Sequence, residues 1–182
     1  MIGVLVSGRG SNLQALVDAG LPIAAVASNV AGAGALARAE AAGIPTRVFA
    51  LADYRGREER DLAMAGWLVA RGVELVVCAG YMHLLTPPFL ARLTAINVHP
   101  SLLPAFPGTT PIEDAIAAGV AGTGVTVHFV DEGVDTGPVI AQEHVAVEPG
   151  DTAETLRERI HVVEHRLLPE AVRRYLAGSL HS

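Results

Sequence analysis

Asn97 and His99 stand two residues apart in Ile96-Asn97-Val98-His99, and Pro100 follows at once. In an extended strand residues i and i+2 share a face, so the carboxamide and the imidazole project together where the proline stops the strand. A hydrogen-bond donor and a titrating group sharing one pocket suit acyl or formyl transfer. Asn97 can donate to a developing oxyanion while His99 moves a proton or stabilises charge. Strand ends also collect polar residues for structural reasons alone, so the pair by itself leaves both readings open.

Three other stretches carry chemistry. Asp131-Glu132-Gly133-Val134-Asp135-Thr136-Gly137-Pro138 lies between two strand patterns, where a carboxylate can reach a neighbouring strand end. Asp135 is the expected partner of His99, because a carboxylate beside an imidazole favours its charged form and orients its ring. Asp131 and Glu132 read as solvated turn residues. Gly8-Arg9-Gly10-Ser11-Asn12-Leu13 follows a strand pattern and opens a helical one, so backbone N–H groups there can meet an anion, most naturally a phosphate. It is neither a dinucleotide fingerprint, since Leu13 replaces the third glycine, nor a P-loop, since no Lys-Ser/Thr pair follows. A tight turn that needs glycine is the competing explanation. His161-Val162-Val163-Glu164-His165 matches the inverted zinc-protease pattern, but only Glu170 follows as a third ligand, so no metal is expected and a zinc hydrolase is a distant alternative.

The elements that must position these groups alternate. Apolar runs at Met1–Ser7, Pro22–Ser28, Thr46–Ala50, Glu74–Ala79 and Ala95–His99 are separated by helical patterns at Leu13–Ala19, Gly34–Ala42 and Arg57–Arg71. That order predicts right-handed crossovers, a doubly wound and mostly parallel α/β sheet, and ligands at the carboxyl ends of its strands. Prolines at 100, 104, 107 and 111 then break the chain into a loop before a short helix near Ile112–Ala118. Thr123–Val130 and Pro138–Val147 read as antiparallel C-terminal strands. A long C-terminal helix starts at Asp151-Thr152-Ala153-Glu154, with Asp151 the expected cap and Glu154 three positions after it, and continues through Leu156, Ile160, Val163 and Leu167, with Pro169 expected to kink or interrupt it.

Composition narrows the partners. A chain of 182 residues suits one domain, with no linker to divide it. Lys and Arg number 13 against 19 acidic residues, and no basic stripe is present to meet a phosphate backbone, so nucleic acid is not expected. No apolar run is long enough for a membrane span, and the N-terminus reads as a first strand, so a cytoplasmic protein is expected. Cys78, the lone cysteine, reads as a packed small hydrophobe.

The stretch from Asn97 through His99, Leu103, Pro104 and Phe106 to Gly108 closely resembles the signature of the folate-dependent formyltransferases. The resemblance continues at Val6–Leu13, Gly124–Asp131 and Glu164-His165. It implies a Rossmann-like formyltransferase domain over 1–182, with a phosphate-binding half at 1–94 and a catalytic and folate-binding half at 95–182. It implies attack by the amine of glycinamide ribonucleotide on the formyl carbon of the cosubstrate 10-formyltetrahydrofolate, in purine biosynthesis, with no metal and no covalent enzyme intermediate. Asn97, His99 and Asp135 would be catalytic; Gly10, Ser11, Asn12 and Glu164 would bind the ribonucleotide. Tyr81-Met82-His83-Leu84-Leu85 resembles the segment lining the folate slot, which makes Met82, His83, Leu84 and Leu85, with Arg57 and Asn97, the implied cofactor contacts. His83 stands where the family often carries Arg. Thr109-Thr110-Pro111-Ile112-Glu113 lacks the His expected shortly after Gly108, which keeps another amine acceptor or formyltetrahydrofolate hydrolysis open. The partners implied are two small molecules, without nucleic acid or membrane, for a monomer or homodimer.

Overall fold

A computed structural model describes residues 1–180 and divides the chain into two compact units, the first from Met1 to Asn97 and the second from Val98 onward. The first unit holds β1 (Ile2–Val6), α1 (Ser11–Asp18), β2 (Ile23–Ser28), α2 (Gly34–Ala41), β3 (Thr46–Val48), α3 (Arg57–Val69), β4 (Leu75–Cys78) and α4 (Pro87–Leu90). Strand β5 (Thr94–His99) begins in it and ends in the second unit. The strands run in the order β3-β2-β1-β4-β5, all parallel. The chain therefore winds outward from β1 to β3, returns, and winds the other way through β4. The switch point lies between β1 and β4, and open α/β sheets bind ligands at the carboxyl ends of the strands there. β1 and β4 are buried along their whole length, as strands covered on both faces must be.

The predicted doubly wound pattern is observed, with two additions: a 3₁₀ turn at Leu51–Asp53 and the one-turn helix α4, which begins on two prolines where no intrahelical N–H is needed. Cys78 is buried at the end of β4, and burial pushes its thiol up to about 12, which leaves it an inert core group.

The second unit holds α5 (Pro111–Ala118), β6 (Gly122–Phe129), β7 (Val139–Ala146) and α6 (Ala153–Leu176). β6 and β7 pair antiparallel, as the alternating pattern predicts, and α6 packs on both. Two expectations for α6 are corrected. Its cap is Thr152 rather than Asp151: the Thr152 side chain accepts from Thr155 N–H, and the Thr155 hydroxyl accepts from Thr152 N–H at 2.9 Å. Asp151 instead accepts from Arg159 and from Glu148 N–H, which holds its carboxyl well below the ordinary range. Pro169 does not interrupt the helix. It lacks the N–H that would return to the previous turn, but Leu167, Leu168, Ala171 and Val172 around it are buried and hold that turn in place. Replacing Thr152 by Ala should lower stability by about 1 kcal/mol, read as a lower urea midpoint at unchanged slope; an unchanged midpoint would show that the cap contributes nothing.

Candidate active site

In the first unit, β1 delivers the chain into Gly8-Arg9-Gly10 and α1 leaves from Ser11. Gly10 lies at φ +83°, and a Cβ there would sit 2.5 Å from Ala35 Cβ and 2.7 Å from Ala35 Cα. The position accepts only glycine, because both the left-handed backbone and the contact with α2 forbid a side chain. Gly8 C=O accepts from Ala35 N–H at 3.0 Å, and Arg9 C=O accepts from Arg38 Nε at 2.8 Å, so the turn is anchored on α2. The first N–H groups of α1, from Ser11 and Asn12 onward, remain at its positive end, as an anion site requires.

The segment after β4 meets the same turn. Ser7 N–H donates to Gly80 C=O at 3.0 Å, and Met82 N–H donates to Ser7 Oγ at 2.9 Å. Met82 and Leu84 are 62% and 47% exposed while Leu85 is buried. The first two therefore form an apolar surface outside the core, and only Leu85 serves packing. Arg57 opens α3 and is exposed, whereas Arg60 is no part of a solvated helix face: it is wholly buried beside Asp61 and within 2.7 Å of His83. The available signal was spacing: Arg60 and Asp61 fall on the same helix face as Met64 and Leu68, where a charge must have partners.

β5 carries both Asn97 and His99, with Asn97 in register with Cys78 of β4 and half-buried. His99 is 4% exposed. Its Nε2 lies 2.8 Å from Phe106 C=O, and its Nδ1 lies 3.5 Å from Asp135 Oδ2. Both nitrogens face oxygen acceptors, a pattern that a ring with two N–H groups satisfies. With Nε2–H given to a backbone carbonyl, Nδ1 is the nitrogen that shares its surroundings with a carboxylate.

The carboxylate is held just as closely. Asp135 Oδ2 accepts from Gly108 N–H at 2.9 Å, and its Oδ1 lies 3.8 Å from His128 Nε2. Among the described residues, Phe106 and Asp135 are the two non-glycine residues at positive φ, 51° and 53°, so backbone strain falls on the two residues that flank His99. Asp131 builds the loop: its Oδ1 accepts from Thr136 Oγ1 at 2.6 Å and from Gly133 N–H at 3.0 Å, and the Thr136 hydroxyl above all holds its carboxyl below the usual range. A Cβ at Gly137 would lie 1.7 Å from Phe129 O, which fixes glycine at the loop's return. His128 was not among the sequence candidates; its signal was strand alternation, which sets it on the same face as Thr126. Burial pulls its pKa down, against the hydrogen bond to Phe129 C=O and the charge of Asp135.

The loop from Ser101 to Gly108 is stapled from β6 and β7. Thr126 Oγ1 donates to Ser101 C=O and accepts from Leu103 N–H, and Gln142 Nε2 donates to Leu103 C=O. The Ser101 hydroxyl closes the loop on Ala105 C=O at 2.5 Å.

Glu164, on α6, is buried and lines a cavity of about 210 Å³ together with Pro100, Thr110, Ile112, Glu113 and Arg157. The Thr109–Glu113 segment thus forms one wall of the cavity holding Glu164. Arg157 donates to Glu113 at its edge. His161 and His165 stack with ring centroids 5.7 Å apart and planes at 23°, and among the described residues no cluster of three His, Cys, Asp or Glu is arranged to hold a metal.

Comparison with known proteins agrees with these features. A family model described as formyl transferase matches residues 1–172. The chain is 46% identical over 187 residues to the trifunctional purine biosynthetic protein adenosine-3 of Chironomus tentans, an alignment that takes in 97% of this chain and 14% of that protein. It thus spans about one-seventh of that relative's length. It is 47% identical over 175 residues to the phosphoribosylglycinamide formyltransferase of Mycobacterium tuberculosis, with 93% and 81% of the two chains covered. The crystal structure of glycinamide ribonucleotide transformylase 1 from Symbiobacterium toebii superposes with a TM-score of 0.97 at 46% identity, over 100% of this chain and 89% of that one.

Two outcomes follow from this geometry. Gly10→Ala should lose at least about 2 kcal/mol of stability in urea unfolding, from strain and the Ala35 contact together; a loss below half that would show that the turn adapts. Because His128 is held below the ordinary imidazole value of about 6.5, the unfolded chain takes up a proton that the folded one refuses. Stability should therefore fall as pH drops from about 6.5, giving a lower urea midpoint at pH 5.5 than at 7.5 and a weaker dependence in His128→Asn. A midpoint that rises on acidification contradicts this.

Proposed function

This chain belongs to the formyl transferase family, and from that premise we propose that it transfers the formyl group of 10-formyltetrahydrofolate to the amine of glycinamide ribonucleotide, a step of purine biosynthesis. The observation that carries this reading is the seat of His99, with Phe106 C=O on one ring nitrogen and Asp135 near the other. The amine attacks the formyl carbon and produces a tetrahedral oxyanion. Asn97 donates to that oxygen, and His99 in its charged form stabilises it. Asp135 holds the imidazolium and orders the water through which a proton passes from the amine to the folate nitrogen, so that the carbon–nitrogen bond to folate breaks as tetrahydrofolate leaves. No bond to the enzyme forms.

The ribonucleotide's phosphate takes the N–H groups at Gly10, Ser11 and Asn12, and the buried Glu164 accepts from its ribose hydroxyls or amine. Met82, His83 and Leu84, with Arg57, Asn97 and the backbone of Leu85, meet the folate; the exposure of Met82 and Leu84 supports this, since exposed apolar side chains suit a flat ring system. On this reading residues 1–182 act as one formyltransferase domain. Its partners are these two small molecules rather than nucleic acid or membrane, and it works in the cytoplasm as a monomer or homodimer. No helix among the described residues is long and apolar enough to cross a membrane.

The deciding assay follows loss of formyl from 10-formyltetrahydrofolate with and without glycinamide ribonucleotide. Turnover should require the acceptor; formate released without it would assign hydrolysis instead. His99→Ala should lower kcat by about 10³-fold or more, and Asp135→Asn by about 10²-fold, asparagine being chosen because it tolerates the positive φ. Phosphate-ligand binding should survive in both. Near-normal turnover in His99→Ala would remove that residue from the mechanism.

A further inference from the structure

Five side chains of the first unit form one path from the end of β1 to the buried face of α3. Ser7 Oγ donates to Asn29 Oδ1 at 2.6 Å, and Asn29 Nδ2 lies 3.4 Å from His83 Nε2. His83 Nδ1 lies 2.7 Å from Arg60 Nη1, and Arg60 Nε donates to Asp61 Oδ1 at 2.9 Å. The backbone hangs from both ends of this path: Met82 N–H donates to Ser7 Oγ, while Thr86 N–H and hydroxyl both donate to Asp61 Oδ2 at 2.9 and 2.8 Å. The segment from Met82 to Thr86 is therefore tied at its first, second and last residues.

The chemistry of the pair fixes its protonation. A guanidinium only donates, so His83 Nδ1 must accept, which makes the ring neutral with its proton on Nε2. A proton on Nδ1 would set two N–H groups head-on at 2.7 Å. Burial, Arg60 and Arg57 oppose a positive ring and Asp61 favours one, with a net downward shift. The remaining neighbours are neutral: the Asn29 amide, and Tyr81, whose ring meets His83 edge-on at 6.0 Å and whose phenol burial pushes upward. Asn29 Nδ2 is also a donor, and a neutral ring accepts at one nitrogen only, so the 2.7 Å contact with Arg60 is the hydrogen bond and the 3.4 Å approach of Asn29 is not one, which leaves His83 Nε2–H for an acceptor on a ligand. Arg60 is 0% exposed, and its other η nitrogen is buried without a hydrogen-bond partner among the described residues, so its guanidinium depends on Asp61 and His83.

We propose that Arg60 is a positioning residue for the formyl donor: through the Nη1–Nδ1 hydrogen bond it holds His83 as the neutral Nε2–H form and holds Met82–Leu85 as the wall of the donor slot. This rests on the reading of Met82–Leu85 as the donor-binding segment. The consequence is that a neutral hydrogen-bond donor stands at the position where the resembled family often carries Arg.

Nitrogen NMR of ring-labelled histidines in the wild-type protein, with His83 assigned by its loss in His83→Gln, should show an acceptor-type Nδ1 and an N–H-type Nε2, unchanged from pH 7.5 to about 5.5. A protonated ring, or the Nδ1–H form, overturns the proposal. In kinetics, Arg60→Met and His83→Ala should each raise KM for 10-formyltetrahydrofolate roughly tenfold, the scale of one hydrogen bond to a charged group. That rise should exceed any change in kcat or in the acceptor KM. The double variant should be no worse than either single one, and His83→Gln, which keeps an acceptor for Arg60, should recover most of the loss. Additive effects, or a donor KM that does not move in Arg60→Met, overturn it; where Arg60→Met does not fold, the contrast between His83→Ala and His83→Gln decides. Absence of turnover in the wild type, with the expected His83 spectrum, places the failure in the functional reading. Titration calorimetry with tetrahydrofolate on the same variants then decides the positioning role by the same ratios.

Discussion

The imidazole of His99 must sit between two oxygen acceptors inside the protein, and much of the second unit follows from that requirement. A buried ring with acceptors on both sides needs those acceptors held rigidly, because a buried polar group that loses its partner is strongly penalised. Phe106 and Asp135 supply them, and both residues are held at positive φ. Such strain persists only where the surroundings over-determine it. They do so here: Ser101, Thr126 and Gln142 hold the loop carrying Phe106, while Asp131, Thr136 and Gly137 shape the loop carrying Asp135. Gly108 N–H joins the two loops through Asp135 itself.

In the first unit the governing feature is the switch point of the parallel sheet. β1 and β4 are paired in register and their connections leave in opposite directions, so the loops after them lie side by side, and a handful of hydrogen bonds suffices to bind them together. The buried Arg60–Asp61 pair belongs to this arrangement. Two ionised side chains on the apolar face of α3 contribute little net stability, since desolvation offsets most of their attraction. Their value is geometric: each carries hydrogen bonds to the segment after β4 that an apolar pair could not make.

The cavity containing Glu164 is lined from two helices. Thr109–Glu113 opens α5, and Arg157, His161 and Glu164 stand on α6; residues of both helices line the same space. α6 runs unbroken through Pro169, its buried side holding the helix where the proline removes a hydrogen bond.

Much of this was legible in the chain itself. Alternation of apolar runs with helical periodicity determines the parallel, doubly wound pattern and its antiparallel end, because periods of 2 and 3.6 residues are local properties. The strand period set Asn97 and His99 on one face of a strand, and Gly10 could be read as part of a tight turn that needs glycine. The cap of α6 was misplaced by one residue, since Asp151 and Thr152 are equally good caps and the hydrogen bonds from Glu148 N–H and from Arg159, two turns along, take Asp151 out of that role. Which nitrogen of His99 stays with Asp135, that His128 stands on the carboxylate's other side, and that Arg60 rather than Arg57 is buried against His83 were decided by tertiary structure alone. Each depends on contacts between residues far apart in the chain, where charge, burial and hydrogen-bond direction act through space and leave no periodicity to read.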